Sequence, residues 1–340
     1  MTAWGWALPL VSGLLTWLLV PLVRRYAWHR ELVDQPGARR SHDRPVPRGG
    51  GVAIVLAIVP ALLLAVIAGP WQHAWVVMFA LGLLLSGALG WADDHGSLAV
   101  RWRLAGQLLI AVIAVAWLGP VEAITFGGHS FSAPVLWSAL AVIAIIWLMN
   151  LFNFMDGSDG LAASQTLISA LLFAAVFWFN DEQIASWLAL LLAAGSAAFL
   201  CWNWPPATIF LGDSGSLPLG WGVAALALMG TLSGTIGVIA AFIIVSPFVV
   251  DATLTLAWRL IRGERWYTPH RSHAYQGLLR SGWSHWQVLM VWWGINIVLV
   301  VPATLLVASR PELDLTVGIV VACLLGGLWL VAGKRFAMNG

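Results

Sequence analysis

Charge is what this sequence has least of. Of its 340 residues only 9% are charged, while 60% are apolar. A water-soluble domain carries roughly a quarter of its residues as charges to cover its surface, so a soluble fold is excluded. Cysteine is nearly absent. Cys201 and Cys323 both lie in apolar runs, which argues against a structural disulfide or a zinc site. Met1 to Trp6 include no basic side chain, so the start lacks the positive region of a signal peptide and the first apolar run reads as a retained helix. No tandem repeat or low-complexity tract divides the chain, and residues 1–340 read as one integral membrane domain.

What is abundant is long apolar runs. Eleven candidate spans run approximately Trp4–Val23, Gly51–Gly69, Ala74–Trp91, Leu104–Leu118, Pro134–Met149, Leu161–Asn180, Ile184–Trp202, Leu217–Met229, Ile236–Trp258, Trp286–Ala308 and Leu315–Val331. A helix of about twenty apolar residues crosses a bilayer core of about 30 Å. The expectation is therefore an all-α polytopic membrane protein of 10–11 transmembrane helices, with Leu104–Leu118 and Leu217–Met229 the shortest. The 23 tryptophans suit the membrane interface, where the ring is buried and its N–H stays wet.

Arginine and lysine set the orientation. Under this plan sixteen of the seventeen basic residues fall on one side, in loops around 24–50, 92–103 and 259–285 and at the C-terminus; Arg310 alone is on the other. The basic side reads as cytoplasmic and the N-terminus as periplasmic, in a bacterial inner membrane. The cytoplasmic loops, about 24–50, 92–103, 150–160, 203–216 and 259–285, also hold nearly every cluster of Asn, Asp and His.

Those clusters suit phosphate and metal chemistry. Asp93 and Asp94 are adjacent at the end of an apolar span; ionised together they repel, and a cation or a substrate proton relieves the cost. They read otherwise as two solvated loop carboxylates. Asn150, Asn153, Asp156 and Asp159 recur every three residues, a spacing that shares one face where the chain is helical. Their oxygens suit Mg²⁺ or Mn²⁺, with phosphate and water completing the shell. One of the two aspartates could equally cap the next helix, but capping needs one residue rather than four. Gly212-Asp213-Ser214-Gly215-Ser216 opens a span, so phosphate could meet backbone N–H groups at a helix N-terminus; alone this motif is weak.

The last large loop holds His270-Arg271-Ser272-His273 and Tyr275, with Arg262, Arg265 and Arg280 around them. Such groups bind diphosphate and stack on a base or sugar; no Cys or third His lies near enough for zinc. His29, His73, His129 and His285 read as ordinary interface or loop residues. Arg39-Arg40-Ser41-His42 and Pro47-Arg48-Gly49-Gly50-Gly51 carry the arginines expected of a cytoplasmic loop, which leaves His42 and the glycines unexplained. Asp251, inside the ninth span, needs a buried partner.

Taken together, these loops resemble the polyprenyl-phosphate N-acetylhexosamine-1-phosphate transferases, glycosyl transferase family 4. The resemblance extends from Pro47-Arg48-Gly49-Gly50 to His273, with the Asp93-Asp94 pair, the Asn150–Ala162 run and Phe210–Ser216 in the family's order. It implies that Asp213 is the main metal ligand with Asn153 beside it, that Asp93 and Asp94 face the acceptor phosphate, that Asp156 and Asp159 line the uridine or metal region, and that His270 and His273 contact the diphosphate or sugar. Asn150, Arg103, Arg271, His42 and Arg48 join the expected substrate contacts. Arg103 stands where the family often has Lys; Arg holds phosphate bidentately. The His-Arg-Ser-His form is similar to the branch that starts surface polysaccharides such as O-antigen.

The implied reaction is phosphoryl transfer from a UDP-sugar to undecaprenyl phosphate, releasing UMP, with Mg²⁺ (or Mn²⁺) offsetting charge. Membrane lipids are the surroundings, nucleic acid is not expected as a partner, and a homodimer is left open. The alternatives are a peptidoglycan or common-antigen branch member, a transporter, whose polar groups would sit at the bilayer midplane, another membrane transferase with four-residue Asp spacing, and a non-catalytic scaffold.

Overall fold

The computed structural model describes residues 3–35, 44–68, 74–264 and 272–337. His42, His270 and Arg271 lie outside the described residues. The chain is a bundle of apolar helices: α1 (Ala3–His29), α2 (Val52–Ala68), α3 (Ala74–Gly96), α4 (Val100–Leu118), α5 (Pro134–Met155), α6 (Leu161–Phe179), α7 (Gln183–Asn203), α8 (Asp213–Ser233), α9 (Val238–Ile261), the short α10 (Ala274–Arg280), α11 (His285–Ile295), α12 (Val301–Ser309) and α13 (Asp314–Ala337). A π-helical turn, Asn296–Val300, joins α11 to α12 as one rod. Among the described residues ten helical stretches are long and apolar enough to cross a membrane, and α2, with 17 residues, is a shorter apolar helix beside them. All eleven expected spans are therefore helices. α4 and α8 are longer than expected because their first turns, Val-Arg-Trp-Arg and Asp-Ser-Gly-Ser, are too polar to register as span. Among the described residues two small antiparallel strand pairs have no counterpart in the sequence reading: β1 (Val33–Asp34) with β2 (Val46–Pro47), and β3 (Ala123–Phe126) with β4 (His129–Ser132).

α8 is the axis of the bundle. Of its apolar window 83% is buried inside the protein, against 17% for α13. α3 and α5 pack along α8, α6 and α1 pack on α7, and α13 packs on α9. The outward faces are apolar, with Ile67, Val135 and Leu10 among the most exposed side chains, as lipid contact requires.

Small residues let the central helices approach, since lipid offers no hydrophobic drive and close van der Waals contact must serve instead. A Cβ on Gly90 of α3 would lie 2.0 Å from the carbonyl oxygen of Asp213, and one on Gly82 1.9 Å from the Trp221 ring. At Gly51, just before α2, a Cβ would fall 2.1 Å from Cα of Gly215. These glycines bring the polar ends of α2, α3 and α8 to one place.

Candidate active site

Asp93 and Asp94 occupy the last turn of α3 rather than a loop. A helix C-terminus disfavours negative charge, so both need partners. Asp93 Oδ1 accepts from Leu98 N at 2.6 Å and Oδ2 from Arg103 at 3.1 Å. Asp94 is buried, and its oxygens accept the N–H groups of Asp213 (3.1 Å) and Ser214 (3.0 Å). The aspartate pair is thus divided: Asp94 caps α8 from a neighbouring helix, while Asp93 faces Arg103. It follows that these two N–H groups, which the sequence offered to phosphate, are already taken. Arg48, placed just past β2, donates to the carbonyl oxygen of Asp94 at 2.9 Å.

Asp213 begins α8. Asn153 donates to its Oδ1 at 2.7 Å and to Ser216 Oγ at 3.1 Å, and Arg103 lies 3.6 Å from its Oδ2. One guanidinium therefore sits against both Asp93 and Asp213 and offsets their repulsion. Asn150 is a different case. Its amide exchanges hydrogen bonds with Gln107 of α4 (2.6 and 3.4 Å) and is buried, which makes it a helix-to-helix tie away from the cavity described below.

α5 ends at Met155, so Asn150 and Asn153 are helical, whereas Asp156 and Asp159 lie in the turn that follows. Burial, reinforced by the carboxylates of Asp213 and Asp94, pushes the Asp156 carboxyl well above the usual carboxylate range. Asp159 Oδ2 accepts from Ala207 N at 2.9 Å. Asn203 accepts from Gly160 N at 2.9 Å and donates to Ile209 O at 2.9 Å. The turn is thereby tied to the segment before α8.

In the last loop, His273 is buried, 2% exposed, with Nδ1 3.7 Å from Oδ1 of Asp251, also buried. Asp251 further accepts from Ala274 N (2.9 Å) and Thr255 (3.2 Å). This is the partner the intramembrane carboxylate required, and it docks the start of α10. Tyr275 then reaches across to donate to Phe154 O at 2.9 Å. In this structure His273 lies among Phe154, Tyr275 and Asp251 and is not among the residues lining the polar cavity; Gln276 and His285 are.

That cavity, about 310 Å³, is lined by Asp34, Arg48, Asp94, Asn153, Asp156, Asp159 and Asp213, together with Gln276, His285 and neighbouring loop backbone. Its size lies at the lower end of small-molecule sites, which run from roughly 300 to 1,000 Å³. Asp34, Asn203, Gln276 and His285 were not anticipated. The signal for His285 was available: Ser284 and Gln287 form a capping box, with Gln287 N donating to Ser284 Oγ at 3.2 Å and Ser284 N to Gln287 Oε1 at 2.9 Å. Such a box fixes the following residue at the start of a helix. A separate apolar cavity of about 320 Å³ lies between α5, α8 and α9, lined by Trp137, Leu148, Ala224, Phe242 and Val249 among others.

Among the described residues no three of His, Cys, Asp and Glu form a closed metal-binding set. Mg²⁺ does not need one, since one or two carboxylates hold it and water and substrate phosphates complete its shell. Asp213 and Asp156, both on the cavity with Asn153 beside Asp213, fit that requirement.

Fold and site together define a multi-pass membrane protein whose acidic cavity is assembled from the ends of its helices. The family model described as glycosyl transferase family 4 matches residues 75–231. The chain is 30% identical over 325 residues to the phospho-N-acetylmuramoyl-pentapeptide-transferase of Desulforudis audaxviator (strain MP104C), covering 86% of this chain and 93% of the relative. It is 28% identical to a probable undecaprenyl-phosphate N-acetylglucosaminyl 1-phosphate transferase of Bacillus subtilis (strain 168), covering 90% and 86%. With the decaprenyl-phosphate N-acetylglucosaminephosphotransferase of Mycobacterium leprae (strain TN) it shares 29% identity, covering 84% and 80%. The chain belongs to the polyprenyl-phosphate N-acetylhexosamine-1-phosphate transferase superfamily, glycosyl transferase family 4.

Proposed function

We propose that this enzyme transfers a HexNAc-type sugar-1-phosphate from a UDP-sugar to undecaprenyl phosphate, releases UMP, and so starts a lipid-linked surface polysaccharide such as O-antigen. The observation that carries this reading is the gathering of Asp94, Asn153, Asp156 and Asp213 with Arg48 on one polar cavity, and of Arg103 and Asp93 behind Asp213. A diphosphate brings negative charge that only cations can offset, and acidic groups there are useful only if they hold a cation. The reaction takes place at the cytoplasmic face of the bacterial inner membrane, where the arginine-rich loops lie.

In this reading the acceptor phosphate oxygen attacks the sugar-bearing phosphorus and the bond to the UMP oxygen breaks, leaving the sugar–oxygen bond intact. Asp213 and Asp156 would hold Mg²⁺, which when bound would supply charge neutralisation for the phosphates. Arg103, swung from Asp93 onto phosphate, adds a bidentate donor. Asp93, released by that movement, takes any proton left on the acceptor phosphate. Asp94 holds the start of α8, and hence Asp213, in place. The apolar cavity between α5, α8 and α9 offers a berth for the prenyl tail.

The test is a donor panel: purified protein, undecaprenyl phosphate, Mg²⁺ and several UDP-sugars, read as lipid-linked product by mass. Product with N-acetylglucosamine or a 6-deoxy HexNAc supports the reading. Turnover with the muramoyl-pentapeptide donor alone would move the enzyme to the peptidoglycan branch, which the Desulforudis relative favours. No product and no UMP with any donor would refute transfer altogether.

A further inference from the structure

His285 belongs to none of the motifs that point to the reaction, yet it lines the polar cavity from the first turn of α11. Its Nδ1 is 3.1 Å from the backbone nitrogen of Asp159 and 3.0 Å from Ser158 Oγ. A backbone N–H can only donate. Nδ1 therefore carries no hydrogen, the ring's hydrogen is on Nε2, and the Ser158 hydroxyl donates to Nδ1 as well. Asp159 Oδ1 stands 3.5 Å from the same nitrogen, outside hydrogen-bond reach, while Oδ2 is committed to Ala207.

The rest of α11 and its surroundings make this contact rigid. The capping box fixes the backbone at Ser284. One turn on, Leu289 abuts Gly160, where a Cβ would lie 2.9 Å from Leu289 Cδ2. From the opposite side the turn is held by Asn203 on Gly160 and by Ala207 on Asp159. Before it, Tyr275 fixes Phe154, and a Cβ on Gly157 would fall 2.2 Å from the Tyr275 hydroxyl oxygen. His285 is thus the α11 side of a clamp on residues 156–160.

We propose that His285 is a positioning residue for transfer: through Nδ1 it holds Ser158 and Asp159, and so fixes the turn that presents Asp156 to the cavity. This rests on the reading above of Asp156 as a cation-holding group. It makes a sharp demand on chemistry. Asn places an acceptor near the Nδ1 position, whereas Gln mimics Nε2 and does not.

The experiment compares wild type with His285→Asn, His285→Gln, His285→Leu and Ser158→Ala. Two readouts are taken: kcat and KM for the UDP-sugar, and the Mg²⁺ concentration giving half-maximal thermal stabilisation with no donor present. His285→Leu is expected to lower kcat by about tenfold or more, since a misplacement near 1 Å costs up to about a hundredfold, with KM changed less and the Mg²⁺ midpoint raised. His285→Asn should recover most of the loss and His285→Gln should not. Ser158→Ala should fall between, because the Asp159 N–H contact survives. Wild-type kcat and Mg²⁺ midpoint in His285→Leu would overturn the proposal, and so would rescue by Gln rather than Asn. If His285→Leu does not fold, the Asn–Gln comparison decides. If wild type makes no lipid-linked product, transfer itself is wrong, and the donor-free Mg²⁺ midpoints still judge the clamp.

Discussion

Replacing Gly90 by Ala adds one methyl group where the backbones of α3 and α8 meet. The new Cβ would stand 2.0 Å from the carbonyl oxygen of Asp213, and ordinary contact begins at 3.4 Å. The helices must therefore separate by about 1.4 Å, or the backbone must bend, at an overpacking cost of about 1–3 kcal/mol. Asp93 and Asp94 follow three and four residues later on the same helix face. The Asp94 hydrogen bonds to Asp213 N and Ser214 N, now 3.1 and 3.0 Å, would stretch beyond the usual limit of about 3.2 Å. A displacement of this size at reacting groups costs about a hundredfold in rate. Gly96 lies in the same helix, and a Cβ there meets nothing within 4 Å. Gly96→Ala is thus the matched control. Initial rates of lipid-linked product formation and melting by tryptophan fluorescence, in one detergent, make the comparison. The expected result is a loss of about two orders of magnitude in kcat for Gly90→Ala and near wild-type behaviour for Gly96→Ala. Equal rates in the two variants would refute the claim that this contact sets the spacing between the aspartates.

Asp213→Asn keeps the shape but removes a charged oxygen, and kcat should fall on the order of a hundredfold with part of the loss recovered by high Mg²⁺ or Mn²⁺; a metal titration of both forms measures it. Asp156 prefers its proton in the folded, metal-free protein, so its contribution to stability is present at low pH and is lost as pH rises above the ordinary carboxylate range toward its raised value. Melting temperatures in EDTA should therefore decline as pH rises above the ordinary carboxylate range, while the added stabilisation by Mg²⁺ grows over the same range as the proton it displaces becomes easier to remove. A Mg²⁺ increment that shrinks with rising pH would contradict this. Asp251→Asn retains acceptance from Ala274 N but loses the charge beside His273, and is expected to lower the melting temperature more than the Mg²⁺ midpoint; the reverse ranking would place Asp251 in the metal site.

The spans and the aspartates at their ends were legible because each depends on local sequence: apolar run length, and carboxylates where a run stops. Asp94 shows where local reading stops. Its neighbour Asp93 is chemically identical in sequence, and only the arrival of α8, 119 residues later, makes one a cap and leaves the other facing Arg103. Asn150 looked like a ligand by spacing, but Gln107 on another helix claims its amide. The motif marks His273 as a substrate contact, and in the fold its ring lies beside Asp251 of α9. In each case one polar residue is redirected by a partner remote in sequence, and the spacing of the motif stays the same.

The cavity wall is drawn from Asp34 near one end of the chain through to His285, and this bears on how the protein is made. A ribosome feeding helices into the membrane in order produces Asp34 and Arg48 first, then Asp94, the Asp156 turn and Asp213, and delivers the second jaw of the clamp only with α11. No nascent intermediate contains a finished pocket. A chain cut short before residue 285 can fill the bilayer with helices and still lack the wall that closes the polar cavity, so premature termination should yield inert membrane protein rather than a partly active enzyme.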